Sequence, residues 1–254
     1  MGRKVIEIMD STLRDGEQTS GVSFNPAEKL NIARLLLEEL QVDRIEVASA
    51  RVSQGEMEGV KKIAQWASQR GKLGKIEVLG FVDGTMSVDW IVESGARVMN
   101  LLCKGSLRHC RGQLGKTPEE HVHDISSVID YALRSGIYEN VYLEDWSNGM
   151  IDSPEYVFYL IGEIIKLNPE RIMLADTLGI LNPDQSYSFC KEIVDKFPGQ
   201  HFDFHGHNDY DLGVANAYSA VRAGIHGLHT TINGLGERAG NVPLSSIIGI
   251  LNDH

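Results

Sequence analysis

The chain has 254 residues, with 24 Lys and Arg against 35 Asp and Glu, a formal net charge of −11, and 42% hydrophobic residues. These are the proportions of an ordinary globular protein, and the acidic balance argues against a sequence-independent nucleic-acid binder, whose phosphate contacts need clustered Lys and Arg. No stretch approaches the roughly 18 consecutive apolar residues of a membrane span, so no membrane role is expected. Short apolar runs recur along the whole length, each followed by a longer segment with helical periodicity. The runs are Val5–Asp10, Arg44–Ala48, Ile76–Val82, Arg97–Leu102, Asn140–Asp145, Arg171–Asp176, His201–His207 and Gly227–Asn233. Helix starts are explicit at Asn25-Pro-Ala-Glu28, Thr117-Pro-Glu-Glu120 and Asn182-Pro-Asp-Gln185, which place an N-cap, a proline and a capping-box partner in register. Ser153-Pro154 reads as a fourth start, and Gly95, Gly136 and Gly224 stand where helices should stop.

Eight βα units without a linker or composition shift predict an α/β fold, a (β/α)8 TIM barrel formed as one domain over residues 1–254. A doubly wound open sheet gives a similar string, but no GxGxxG follows the first strand. Met1-Gly-Arg-Lys4 enters that strand without an apolar signal region, and Cys103, Cys110 and Cys190 form no CxxC pair. Both features fit a reducing cytoplasm.

In a barrel, chemistry belongs where strands end and βα loops begin. Alternation along His201-Phe-Asp-Phe-His-Gly-His207 turns His205 and His207 to one face and Phe202 and Phe204 to the other. Two imidazoles at i and i+2 on a strand end can chelate a divalent ion, although an isolated HxH is also read as a pair of loop histidines. After the first strand, Arg14-Asp15 offers an anionic ligand beside a fixed cation for a carboxylate or oxyanion, or else a surface turn with a local salt bridge. Further polar groups fall on the second, fifth, sixth and eighth units: Glu46, Tyr142 with Glu144, Thr177, and Asn241 closing the loop Asn233-Gly-Leu-Gly-Glu-Arg-Ala-Gly-Asn241. Singly each is an ordinary structural residue; jointly they mark one face.

These three segments, Arg14-Asp15-Gly-Glu-Gln18, His205-Gly-His207-Asn-Asp209 and Thr231-Ile-Asn-Gly-Leu-Gly-Glu-Arg-Ala-Gly-Asn241, together resemble the catalytic barrel of the DRE-TIM metallolyase superfamily. The resemblance is to its Claisen-condensing branch of 2-isopropylmalate, homocitrate and citramalate synthases. It implies condensation of acetyl-CoA with a 2-keto acid. Asp15, His205 and His207 would be ligands of Mn²⁺, Mg²⁺ or Zn²⁺, with Asn241 as a further ligand or support. Arg14 would stabilise the keto oxygen, Glu46 would be the second-strand acid, Thr177 would hold the substrate carboxylate, and Glu144 would sit near the acetyl-CoA methyl.

Flanking segments such as Val141-Tyr-Leu-Glu-Asp-Trp-Ser-Asn-Gly149 look most like the citramalate type, which uses pyruvate. Bulk at Leu79, Leu102 and Tyr142 agrees, because a clash excludes a branched keto acid more strongly than lost contact excludes a small one. The resemblance also implies a homodimer, with the linker and regulatory subdomains of the branch having no counterpart within these 254 residues. The rival lyase type uses a cysteine in the loop after the eighth strand, where Gly236-Glu-Arg-Ala-Gly240 has none. A non-catalytic metal-binding module is the reading from a different class. The basic stretch Lys104, Arg108, Arg111 and Lys116 is either a set of CoA phosphate contacts or a solvated loop.

Overall fold

The computed structural model describes residues 5–254, so the lead-in read at residues 1–4 lies outside the described residues. Eight parallel strands, β1 (Glu7–Asp10), β2 (Arg44–Ser49), β3 (Ile76–Phe81), β4 (Val98–Lys104), β5 (Tyr138–Glu144), β6 (Arg171–Asp176), β7 (Phe202–Gly206) and β8 (Gly227–Thr230), pair in chain order. β8 returns to β1, with Met9 opposite His229, and closes the barrel. Around it run α1 (Pro26–Arg34), α2 (Gln54–Gln69), α3 (Met86–Ser94), α4 (Leu107–Gly112), α5 (Pro118–Arg134), α6 (Trp146–Asp152), α7 (Pro154–Ile165), α8 (Pro183–Lys196), α9 (Gly213–Ala223) and α10 (Leu244–Asp253). No helix among the described residues is long and apolar enough to cross a membrane.

The three expected capping boxes form in full at α1, α5 and α8. Ser153 differs: α7 begins on Pro154 without a side-chain cap, because the Ser153 hydroxyl faces the Gly149 carbonyl and the Leu107 amide instead. Strand limits also shift. β8 stops at Thr230 rather than Asn233, since Asn233 takes a left-handed φ of 54° in a 3₁₀ turn, and β7 spans Phe202–Gly206 rather than His201–His207.

Period-two alternation divides the side chains of the strands. Outward residues, Phe202 and Phe204 among them, join the apolar layer beneath the helices. Inward residues form two zones. Met9, Leu79, Tyr142, Met173 and Ala175 make a small apolar cluster, with Phe81 and Leu102 packed against it. Nearer the strand N-termini the interior is polar. Arg44 donates to Glu77 at 2.9 Å and to Asp203 at 2.6 Å, while Asn100 donates to Glu77 and Glu46 and accepts from Asn140. Buried charges of this kind persist only when paired, and every charged member here has an opposite charge or an amide against it.

Candidate metal centre and substrate cavity

β1 ends in a tight turn in which the Asp15 amide donates to the Ser11 carbonyl at 2.8 Å, turning the Asp15 carboxylate over the barrel mouth. β7 brings His205 to the same place, and His207 follows one residue beyond its end. There the Asp15, His205 and His207 side chains each offer one ligand atom, all lying within 4.8 Å of one another. Asp15 Oδ2 is 3.6 Å from His205 Nε2 and 3.8 Å from His207 Nε2, and the two Nε2 atoms are 3.2 Å apart.

The loop after β8 delivers Asn241 to this group. Its backbone bridges to His207, and its Nδ2 donates to Asp15 Oδ1 at 2.8 Å and to the Leu235 carbonyl. The glycines of this loop are required by space. A Cβ at Gly236 would collide with Asn241 and crowd Asp15, and Gly240, at φ +90°, passes too close to the Gly234 carbonyl for any side chain.

Arg14 lies against the ligand group. Its Nη1 donates to Asp15 Oδ2 at 2.9 Å and its Nε to Glu46 Oε2 at 2.6 Å, while Ser11 and Asn100 donate to the same Glu46 carboxylate. Burial alone would raise the Asp15 pKa, but Arg14, the two histidines and the Asn241 hydrogen bond outweigh it and hold the carboxyl below its usual range. Burial pushes His205 well down, aided by His207 and opposed by Asp15, and it lowers His207 against the same opposition. Neutral imidazoles beside a carboxylate present lone pairs, which is the protonation state a divalent ion needs. Asn241 Oδ1 is buried with no hydrogen-bond partner, a further oxygen free at the edge of the group. The donor set therefore fits a hard or borderline divalent cation.

A cavity of about 310 Å³ opens directly on these groups. Of the residues expected from the sequence, Arg14, Asp15, Leu79, Leu102, Tyr142, Glu144, Thr177, His205 and His207 all line it, while Glu46 and Asn241 stand just behind it as supports. The Thr177 hydroxyl accepts from the Asp145 amide at 2.8 Å, which leaves its own proton to donate into the cavity. Asp145 is itself locked, at φ 63°, by hydrogen bonds from Ser106 and Asn148.

The structure adds residues that the sequence reading missed. Phe81, Val52, Ser49, Gln18 and Glu237 share the cavity wall. Glu144 is ion-paired with Lys104, whose amide donates to His121 Nε2 and whose carbonyl accepts from Tyr156. Lys29, on the first turns of α1, is fully buried and clamps Glu17 and Glu56 at 2.6 Å each, tying the loop after β1 to α2. Three of the four basic residues are charge-paired: Lys104 meets Glu144, Arg108 approaches Asp145 and Lys116 meets Asp124. That favours the solvated-loop reading over a phosphate cradle. Spacing two residues below each expected strand-end residue is the signal that could have found the interior set, since Arg44, Asn100, Asn140 and Asp203 fall there.

Comparison with known proteins gives the family and the fold. The family described as HMGL-like matches residues 5–253. The chain is 34% identical over 248 residues to the (R)-citramalate synthase CimA of Methanocaldococcus jannaschii, covering 97% of this chain and 48% of that protein. It is equally 34% identical over 253 residues to the homocitrate synthase of Sulfurisphaera tokodaii, covering 98% of this chain and 53% of the other. The chain thus spans about half the length of the curated relatives it matches. An HMG-CoA lyase from Bacillus subtilis superposes with a TM-score of 0.81 over 99% of this chain and 87% of its own, at 20% identity, which bears on the fold alone. With a family match over nearly every described residue and relatives above 30% identity along the same span, the chain belongs to the HMGL-like family.

Proposed function

We propose that this barrel condenses acetyl-CoA with a 2-keto acid in a Claisen-type reaction, with pyruvate as the keto acid, and that water then hydrolyses the resulting citramalyl thioester to give (R)-citramalate and CoA. The observation that carries the reading is the cavity itself: three ligand atoms and Arg14 on one wall face Leu79, Leu102 and Tyr142 on the other. Asp15, His205 and His207 would hold a divalent cation, with Asn241 beside them. Such an ion, when bound, supplies a Lewis acid that polarises a keto group and a charge that receives its carboxylate.

The protein's own residues complete the task. Arg14 is fixed by Asp15 and Glu46, so its guanidinium stands ready beside the oxygen on which negative charge develops, without reorganising. Thr177 has its lone pair engaged by Asp145 and donates to the keto-acid carboxylate. Glu144, at the cavity wall with Lys104 against its carboxylate, would take a proton from the acetyl methyl. The apolar wall accepts the methyl of pyruvate and crowds anything branched.

A panel of keto acids with acetyl-CoA and Mn²⁺, read by free-thiol release and by calorimetric keto-acid binding, tests this. Release or metal-dependent binding with pyruvate is expected. Preference for 2-oxoglutarate or 2-oxoisovalerate would transfer the reading to the homocitrate-synthase or 2-isopropylmalate-synthase type of the condensing branch, and no response to any keto acid would overturn the condensation itself.

A further inference from the structure

A row of hydrogen-bonded side chains crosses the barrel interior from the strand N-termini to the candidate ligands. Arg44 donates to Asp203 Oδ2 at 2.6 Å, and the same oxygen lies 3.2 Å from His229 Nε2. His229 Nδ1 is 2.6 Å from the Tyr142 hydroxyl, which is 3.3 Å from His205 Nδ1. The Tyr142 ring stands edge-on to both imidazoles, at 5.5 Å from His205 and 5.4 Å from His229. All five side chains are buried, and His229 and Asp203 line no part of the cavity.

Each contact in the row carries one proton, and the buried Tyr142 hydroxyl has no other partner among the described residues for its own, so it must donate to one of the two imidazoles and only two arrangements remain. In the first, His205 Nδ1–H donates to Tyr142, the hydroxyl donates to His229 Nδ1, and His229 Nε2–H donates to Asp203. In the second, Tyr142 donates to His205 Nδ1, and His229 must carry protons on both nitrogens, one for the tyrosine oxygen and one for Asp203. The second leaves the proton of a neutral His205 on Nε2, aimed at Asp15 and His207, and closes that nitrogen to any cation. The first turns the Nε2 lone pair toward Asp15.

We infer that Asp203, acting through His229 and Tyr142, sets the His205 tautomer that leaves Nε2 open to a divalent cation, which makes His229 and Asp203 positioning residues for a centre they do not touch. This rests on the ligand reading proposed above. It extends the familiar carboxylate–histidine–metal arrangement by one tyrosine and one imidazole. Asp203 suits the role of anchor: burial alone would raise its pKa, but Arg44 and hydrogen bonds from His201 and His229 outweigh that and keep the carboxylate ionised. Tyr142 then has two functions, since its ring forms the substrate wall while its hydroxyl orients a ligand on the opposite side.

Mn²⁺ titration read by the electron paramagnetic resonance signal of the free ion tests the relay without reference to turnover. His207→Ala should abolish tight binding. Tyr142→Phe, which keeps the ring, and His229→Leu should each weaken it by about tenfold to a hundredfold, the usual consequence of removing an outer partner of a ligating histidine. The Tyr142→Phe/His229→Leu double variant should bind no worse than the weaker single variant, because either change alone interrupts the same row. Affinity unchanged in Tyr142→Phe while His207→Ala abolishes binding would overturn the relay alone, as would fully additive losses. Unchanged affinity in His207→Ala would overturn the ligand reading and the relay with it. Should His229→Leu fail to fold, the Tyr142→Phe result decides.

Discussion

The two walls of the cavity are built on opposite principles. On the β1, β7 and β8 side, Asp15, His205, His207 and Asn241 are all buried and held by Arg14, by one another and by the glycine-tight loop after β8. On the β3 to β5 side, Leu79 and Tyr142 are packed by apolar neighbours, Phe81 and Leu102 are half-buried, and the Glu144–Lys104 pair reaches toward solvent. One wall is over-determined by directional contacts and tolerates no displacement; the other is shaped by volume and can be recut. On the proposed reading, cation binding and the fit of the keto-acid side chain are therefore separable at the aliphatic residues, whereas Tyr142 and Glu144 tie the second wall to the reaction. Aliphatic substitutions there should fail differently from changes on the ligand side.

The largest effect is expected on the directional wall. Arg14→Gln keeps a hydrogen-bonding side chain but removes the fixed positive charge, and loss of one preorganised donor typically lowers kcat by about 10²–10³. Mn²⁺ affinity should change far less, because Asp15, His205 and His207 remain. Steady-state kinetics alongside a Mn²⁺ titration check this, and a kcat within tenfold of the unaltered protein would remove Arg14 from the reaction. On the other wall, Leu102→Ala or Leu79→Ala should leave metal binding intact and, if pyruvate is the keto acid as proposed, move preference toward 2-oxoisovalerate. Each removed methylene is worth ~1–3 kcal/mol of discrimination, so the ratio of kcat/KM values should shift by at least about tenfold. An unchanged ratio would show that the apolar wall does not select the substrate.

The same division explains what could be read from the residues. Period-two alternation, helix caps and the strand-end motifs announced the barrel and nine of the lining residues, Arg14, Asp15, Leu79, Leu102, Tyr142, Glu144, Thr177, His205 and His207, but not Gln18, Ser49, Val52, Phe81 or Glu237. Contacts between distant segments were not legible. Lys29 follows a capping box on an amphipathic helix and looks like a solvated lysine, yet three segments close over it and two carboxylates neutralise it. Arg44, Asp203 and His229 lie up to 185 positions apart in sequence, and only barrel closure brings them into one row. Strand limits drifted where an apolar run continues past a turn, as in Thr231-Ile-Asn233, since nothing in side-chain type records the left-handed Asn233.

A smaller effect separates the walls by pH. Behind the apolar wall, His121 accepts a hydrogen bond from the Lys104 amide, an interaction available only to the neutral ring. Burial, with Lys116 and Lys104 nearby and Asp124 opposing, lowers its pKa from 6.5 to about 4. The folded state therefore refuses a proton that the unfolded chain accepts, so this contribution to stability is complete above pH 6.5 and is lost as pH falls toward 4. Discounted for partial solvent screening, it amounts to about 1–2 kcal/mol. Asp15, with its depressed pKa, gives way only at pH values below the ordinary carboxylate range. Asp10, raised to about 6, and Glu139, raised to about 7, both by burial, act in the opposite sense, since each favours the folded state as pH falls. The bare slope of stability against pH thus mixes signs, and the difference between variants is the clean measurement. In His121→Gln, the melting temperature should decline less than that of the unaltered protein between pH 6.5 and 4, with parallel curves above pH 7. Parallel curves throughout would mean that His121 takes up its proton equally in both states, and that the wall carrying Lys104 and Glu144 has no acid-sensitive support.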